Sequence, residues 1–256
     1  MDFYPRLLLD CIAAGLLDPA APTLVVAGDE VDRDALRAGG FTDVTISNLD
    51  ANGGAAAIAP YRWAALDAEA IALPDNAYAQ VIDHMGLHHC ASPHRALLEM
   101  YRVAARAVLV VENRDSLAMR LAGRIGLVDD FELEAVRDGA REFGGLRNSG
   151  VPNHVYRWTE REVRKAIASA DPAHEVPIRF FYHLRFPEQR AGEARGLRRL
   201  AFAAARPLAA GVARLMPRQA NVFAFLVDKG ERGLRPWMEP GGARMAAGAE
   251  RGSGPR

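Results

Sequence analysis

The chain has 256 residues, 50% of them hydrophobic, and its 32 basic side chains balance 32 acidic ones, so the formal net charge is zero. That length buries a full core, most simply as one α/β domain, and zero net charge removes any global attraction to nucleic acid or to an anionic membrane. Cys11 and Cys90 stand far apart and outside any CxxC pair, which supports neither a disulfide framework nor a structural zinc site and fits a reducing, cytoplasmic compartment.

Leu7, Leu8, Cys11, Ile12 and Leu16 recur at helical spacing and predict a first helix over Pro5 to Leu17, closed by the breaker run DPAAP. Asp10 interrupts this apolar stretch, no signal-peptide cleavage site follows, and no charge-free apolar run approaches about 18 residues, so neither a leader nor a membrane span is expected. TLVVA (Thr23 to Ala27) reads as a buried strand, Arg33 to Ala38 as a short helix ended by Gly39-Gly40, and Val44 to Asn48 as a second strand. Ala79 to Asp83 is the next strand, Pro93 to Ala104 a helix, and Ala107 to Glu112 a strand entering a polar loop.

These runs are continuously apolar instead of alternating, as a parallel sheet covered on both faces requires. The expected fold class is therefore α/β, a three-layer, doubly wound, mostly parallel Rossmann-like sheet with ligand sites at the carboxyl ends of its strands. A helix over Arg114 to Ile125 and a loop over Val128 to Asn153, with Gly144-Gly145 and NSGVPN, read as a lid around residues 114–158. Thr159 and Glu162 form a capping-box signature for a helix to about Ala170. A strand at Ile178 to Phe186, a basic helix near Arg195 to Leu215 and a strand at Asn221 to Lys229 follow, with the two late strands expected to be antiparallel. One domain over residues 1–238 and a disordered Gly/Ala/Arg-rich tail over 239–256 complete the organisation.

Candidate ligand residues gather after the strands. Gly28 allows close backbone approach, but AGDEVD lacks the G-x-G-x-x-G fingerprint, and Asp29, Glu30 and Asp32 would repel a pyrophosphate. A ligand with a cationic centre and an ammonium group suits this turn better; a solvated acidic loop is the other reading. Asn48 and Asp50 can address ribose hydroxyls, or close an Asx turn in NLDANGG. Asp67, accepting from an exocyclic amine, and the Ala68 N–H, donating to a ring nitrogen, are enough to recognise adenine. Asp83-His84-Met85-Gly86-Leu87-His88-His89 follows a strand directly. His88 or His89 can serve as a general base, and no metal is expected because no ligand follows at a familiar zinc spacing. His154, Tyr156 and Arg157 can face a substrate, with Trp158 packing the core and Phe181 to His183 supplying an apolar wall.

The stretch LDAEAIALPDNAYAQVIDHMGLHHCASPHRALLEMYRVAARAVLVVEN resembles the class I S-adenosylmethionine-dependent methyltransferases of the type 11 family. It looks like that family's D-A-E-x-L-P strand entry, which stands here as D-A-E-A-I-A-L-P, followed by its L-H-H, its P-x-x-A-L-x-E-x-x-R-V helix and the next strand. The resemblance runs from about Leu24 to Asn113 and, more weakly, to the strand NVFAFLVDK. It implies S-adenosylmethionine as cofactor, with Asp67 and Ala68 flanking adenine, Asp83 to Leu87 beside the cofactor, and residues beyond Glu112 lining the substrate cavity. Two departures stand out: Ala27-Gly28-Asp29-Glu30-Val31 replaces the family's G-x-G-x-G turn, and its ribose-binding acid falls on Asn48, leaving Asp50 as a substitute.

The expected activity is methyl transfer to an O, N or C nucleophile of a small molecule. The cofactor-binding set is Gly28, Asp29, Asn48, Asp50, Asp67, Ala68 and Asp83, and the catalytic candidates are His88, His89 and His154. A noncatalytic methyltransferase-like binding protein is one alternative. The other is a peripheral membrane enzyme for a lipid or quinone docked by the basic helix, which is not favoured because arginines on a wet face account for that helix. No nucleic-acid partner is expected.

Overall fold

The computed structural model describes residues 2–49, 54–124, 126–186 and 196–238. In chain order these form α1 (Phe3–Ala13), β1 (Thr23–Val26), α2 (Glu30–Ala38), β2 (Val44–Asn48), α3 (Gly54–Ala57), β3 (Arg62–Ala65), β4 (Tyr78–His84), α4 (Pro93–Val103), β5 (Ala104–Asn113), α5 (Leu117–Arg124) and α6 (Leu133–Asp138). They continue with α7 (Glu160–Ala170), β6 (His174–Glu175), β7 (Ile178–His183), α8 (Leu197–Leu215), β8 (Val222–Asp228) and β9 (Gly233–Leu234). The predicted tail, residues 239–256, and Asp50 lie outside the described residues.

Among the described residues, seven strands form one sheet in the order β3-β2-β1-β4-β5-β8-β7, and β6 pairs with β9 separately. The sheet folds as the sequence implies because its apolar runs supply both faces. Leu24 and Val26, Val81, Val108 and Val110, and Phe223, Phe225 and Val227 enter one core with Leu97, Met100, Val163 and Ile167 of α4 and α7. Their neighbours Val25, Ile82, Leu109, Val111, Ala224 and Leu226 enter the other with Leu7, Leu8 and Leu36 of α1 and α2. Alternation along a strand thus sorts each continuous run between two helix layers. Each fully buried Leu, Val or Phe contributes about 1.5–3 kcal/mol through removal from water.

Helix starts are set by local chemistry. Pro93 occupies the first turn of α4, where a missing N–H costs nothing. Thr159 and Glu162 cap α7 reciprocally, as the sequence predicts. In α2, Asp29 accepts from the Val31 N–H at 2.7 Å and the Asp29 N–H donates to Asp32 at 3.1 Å, so the helix begins at Glu30, before the expected Arg33.

The two late strands pair antiparallel, as expected: β8 runs against β5 and β7 against β8, which returns β7 to the common direction. Two other features differ from the sequence reading. The edge strand β3 was not anticipated, because RWAA is only partly buried and carries no apolar run. The loop over Val128 to Asn153 contains helix α6. No helix among the described residues is long and apolar enough to cross a membrane.

Candidate active site

Two cavities open side by side at the carboxyl edge of the sheet. The larger, of about 390 Å3, is bounded by Ala27, Asp29, Asn48, Asp67, Ala68 and Met85, and by Gly144, Gly145, Arg147 and Asn148. The second, of about 270 Å3, lies against His88, His89 and Asn113 and is closed by Phe131, Glu132 and Leu133. Met85, His89 and Arg185 belong to both walls.

The larger cavity exists because two strand ends turn sharply. Ala27 after β1 and Met85 after β4 have left-handed backbones, φ 50° and 60°, a conformation that costs a residue with a Cβ roughly 1–2 kcal/mol. Gly86 lets these turns touch: a Cβ there would stand 2.6 Å from the Ala27 Cβ and 2.6 Å from Asp83 Oδ1. Gly28 is buried beneath the cavity wall, where a Cβ would meet Val25 at 2.7 Å and Ile46 at 2.8 Å. Its role in the described residues is close packing of the turn onto β1 and β2.

The cofactor candidates divide by position. Asp29, Asn48, Asp67 and Ala68 line the larger cavity. The Asn48 amide donates to the Gly28 carbonyl at 3.3 Å and its oxygen accepts from the Leu49 N–H at 2.7 Å. Asp67 accepts from the Glu69 N–H at 2.9 Å and pairs with Arg147 at 2.8 Å. Arg147 also reaches Glu69 at 2.9 Å, and that carboxylate accepts from the Ala91 and Ser92 N–H groups. Asp83 lies below the cavity, fully buried, with neither carboxyl oxygen satisfied by a hydrogen bond. Burial, then the charges of Glu112 and Asp32, push its acid well above the usual carboxylate range, favouring the neutral form.

The catalytic candidates part company as well. His88 is buried, and its Nδ1 lies 3.0 Å from both oxygens of the fully buried Glu112. On its other side Nε2 stands 3.3 Å from Glu132 Oε2. Burial opposes the charged ring, but Glu112 and Glu132 override it and push His88 up to about 10. His89 Nε2 stands 3.3 Å from the same Glu132 oxygen. Burial and the neighbouring His88 charge lower His89, leaving a neutral ring at the junction of the cavities. Glu132 falls to about 2, chiefly through its contact with His88. His154 is exposed, packs edge-on against Phe131 and lines neither cavity.

Tyr156 donates to Glu162, Arg157 pairs with Asp130, and Trp158 sits fully buried against His94 and Phe225. Sequence reasoning did not single out Glu112, Glu132, Glu69 or Arg147, and took in His84 only as part of the run Asp83 to Leu87. Glu112 carried a usable signal, since it ends a strand at the edge where parallel sheets place ligands. His84 lines the larger cavity and stacks 4.1 Å from the Tyr4 ring of α1; burial lowers it to about 4. Glu132 and Arg147 lie in aperiodic chain, where nothing local announces a partner.

Residues 36–111 match the family model described as a methyltransferase domain. No curated protein matches the sequence. Solved structures share the fold at low identity. A candidate methyltransferase from Bacillus halodurans is 14% identical, with a TM-score of 0.54 over 87% of this chain and 98% of that one. The magnesium protoporphyrin IX methyltransferase of Synechocystis PCC 6803, solved with bound SAH, is 13% identical, with a TM-score of 0.52 over 87% and 80%. The [4+2]-cyclase SpnF is 17% identical, with a TM-score of 0.53 over 88% and 81%.

Proposed function

We propose that this chain is a class I S-adenosylmethionine-dependent methyltransferase and that its acceptor is a small molecule held in the second cavity. The observation that carries this reading is the pair of adjoining cavities with Met85, His89 and Arg185 as common wall. Reacting groups placed in the two would face one another across these residues.

The residues of the larger cavity fit the cofactor. Its volume lies within the range of ligand sites. Asp29 and Asp67 suit a ligand with a sulfonium and an ammonium group, and Leu66, Ala68 and Met85 offer apolar surface to a purine. Asp67, with the Ala68 N–H, would hold the adenine edge once Arg147 releases it, and Asn48 would face the ribose. When bound, S-adenosylmethionine supplies a methyl group made electrophilic by its sulfur. The chain's own part is mainly to hold and align, an effect worth up to about 7–11 kcal/mol in favourable intramolecular comparisons. His89 is the candidate positioned to take a proton from an acceptor hydroxyl, because its ring is neutral and faces both cavities. His88 is committed to two carboxylates.

Incubation with methyl-labelled S-adenosylmethionine and a panel of small hydroxylated and aminated acceptors tests this reading. Label is expected in the small-molecule fraction. His89→Ala should slow transfer to a hydroxyl acceptor by roughly 10²–10⁴-fold without altering S-adenosylhomocysteine affinity, and His154→Ala should leave the rate within about twofold. Label appearing instead in lipid, RNA or protein would sink the small-molecule assignment, and equal rates in both variants would remove His89 from the proton transfer. A noncatalytic reading is favoured by one observation, the hold of Arg147 on Asp67 and Glu69; cofactor binding without transfer to any fraction would support it.

A further inference from the structure

We propose that His88, His89 and Glu132 form a binding site for one divalent transition metal ion of the zinc type, with its open side toward the second cavity. Sequence spacing gives no such expectation, because the carboxylate comes from a distant loop that the fold brings over the two histidines.

The geometry is specific. One donor atom from each of the three residues lies within 4.8 Å of the others. Both histidine Nε2 atoms stand 3.3 Å from a single oxygen, Glu132 Oε2. A charge-assisted N–H···O bond would close to about 2.7–2.9 Å. Tetrahedral zinc, with bonds of about 2.0–2.2 Å, separates neighbouring donor atoms by about 3.3–3.6 Å. The two rings therefore converge on the carboxylate at the edge length of a coordination tetrahedron. Two histidines and a glutamate are a known catalytic donor set for zinc, leaving a fourth position open.

The surroundings agree. Behind His88, the fully buried Glu112 receives Nδ1–H and the His88 backbone N–H, at 3.0 and 3.1 Å, which fixes the ring so that Nε2 faces Glu132. A carboxylate behind a histidine in this way orients it and raises its basicity toward a metal. The Asn153 amide donates to Glu132 Oε2 at 3.2 Å and to the His88 carbonyl at 3.2 Å, tying the loop carboxylate to the histidine turn. Imidazole nitrogens with one carboxylate suit zinc, ferrous iron, cobalt or nickel better than magnesium or calcium.

Metal binding itself does not depend on methyl transfer. Its consequence for the acceptor rests on the proposed function: an ion at the wall of the second cavity favours acceptors with an oxygen donor, whose ionisation a Lewis acid assists. With the ion present His89 holds it and does not take the proton.

The test uses the full chain, free of any affinity tag and stripped with a chelator. Zinc is titrated by calorimetry and cobalt by visible absorption. The expected result is one equivalent per chain, with the intense visible bands of low-coordinate cobalt. Glu132→Gln and His89→Ala, both at partly exposed side chains, should weaken binding at least 100-fold, and Glu112→Gln by about 10–100-fold. Circular dichroism of each variant controls for folding. No saturable uptake by the wild type, or uptake unchanged in Glu132→Gln and His89→Ala, overturns the proposal. S-adenosylhomocysteine is titrated into the same metal-free sample, so loss of the metal site and loss of the cofactor site register separately.

Discussion

Arg147 is the residue on which the larger cavity turns. Held at φ 51° between Leu146 and Asn148, it spans to Asp67 and Glu69, so the carboxylate proposed for adenine is already paired. Two substitutions separate the roles. Asp67→Ala should weaken S-adenosylhomocysteine binding roughly ten- to a hundredfold, the loss expected for a charged hydrogen bond, with little change in the unfolding midpoint. Arg147→Ala should tighten it, by about two- to fivefold, because a partly exposed ion pair no longer has to open. Calorimetry checks both, and a weaker-binding Arg147→Ala would instead make the arginine part of the ligand site. Asp67 and Ala68 could be picked out in sequence from the segment LDAEAIALP, and His89 because it closely follows a recognisable strand. Arg147 and Glu132 could not, since their partners are set by how a long aperiodic loop folds back and not by spacing.

At the level of elements, the first turn shows how one acidic motif serves several ends. AGDEVD contains the reciprocal cap that starts α2, and Asp32, within that cap, is buried beside Tyr4. Burial and the Asp29 charge raise Asp32 from 3.8 to about 7. Because the folded carboxyl keeps its proton to higher pH than the unfolded one, the folded state binds more protons between about pH 4 and 7. Its contribution to stability is full below about pH 4, falls as pH rises toward 7, and stays lost above. Asp32→Asn keeps an oxygen for the Asp29 N–H but cannot ionise. The variant should exceed the wild type at pH 8 by on the order of 2–4 kcal/mol, with the difference shrinking toward pH 4. Urea unfolding at pH 4.5, 6 and 8 checks this; a pH-independent difference would contradict it. The same scale explains what sequence revealed. The buried strands β1, β2, β4, β5 and β8 are uninterrupted apolar runs, whereas β3 is a half-exposed edge and the direction of β7 is decided by its pairing with β8.

Across the whole molecule, the order β3-β2-β1-β4-β5-β8-β7 places the ends of β1, β2 and β4 around one cavity and the ends of β4 and β5 beside the next. Fold class followed from the sequence because both helix layers and both faces of the sheet are written into alternating positions of the same strands. The glycine-poor first turn did not follow: its left-handed Ala27 and the contact permitted by Gly86 are properties of two turns packed together. If the altered turn frames the proposed cofactor cavity, calorimetric titration with S-adenosylmethionine and, separately, S-adenosylhomocysteine will register it. Saturable binding of both at one site per chain, weakened by Asp67→Ala, is the predicted result; absence of binding by either ligand to folded protein would contradict it.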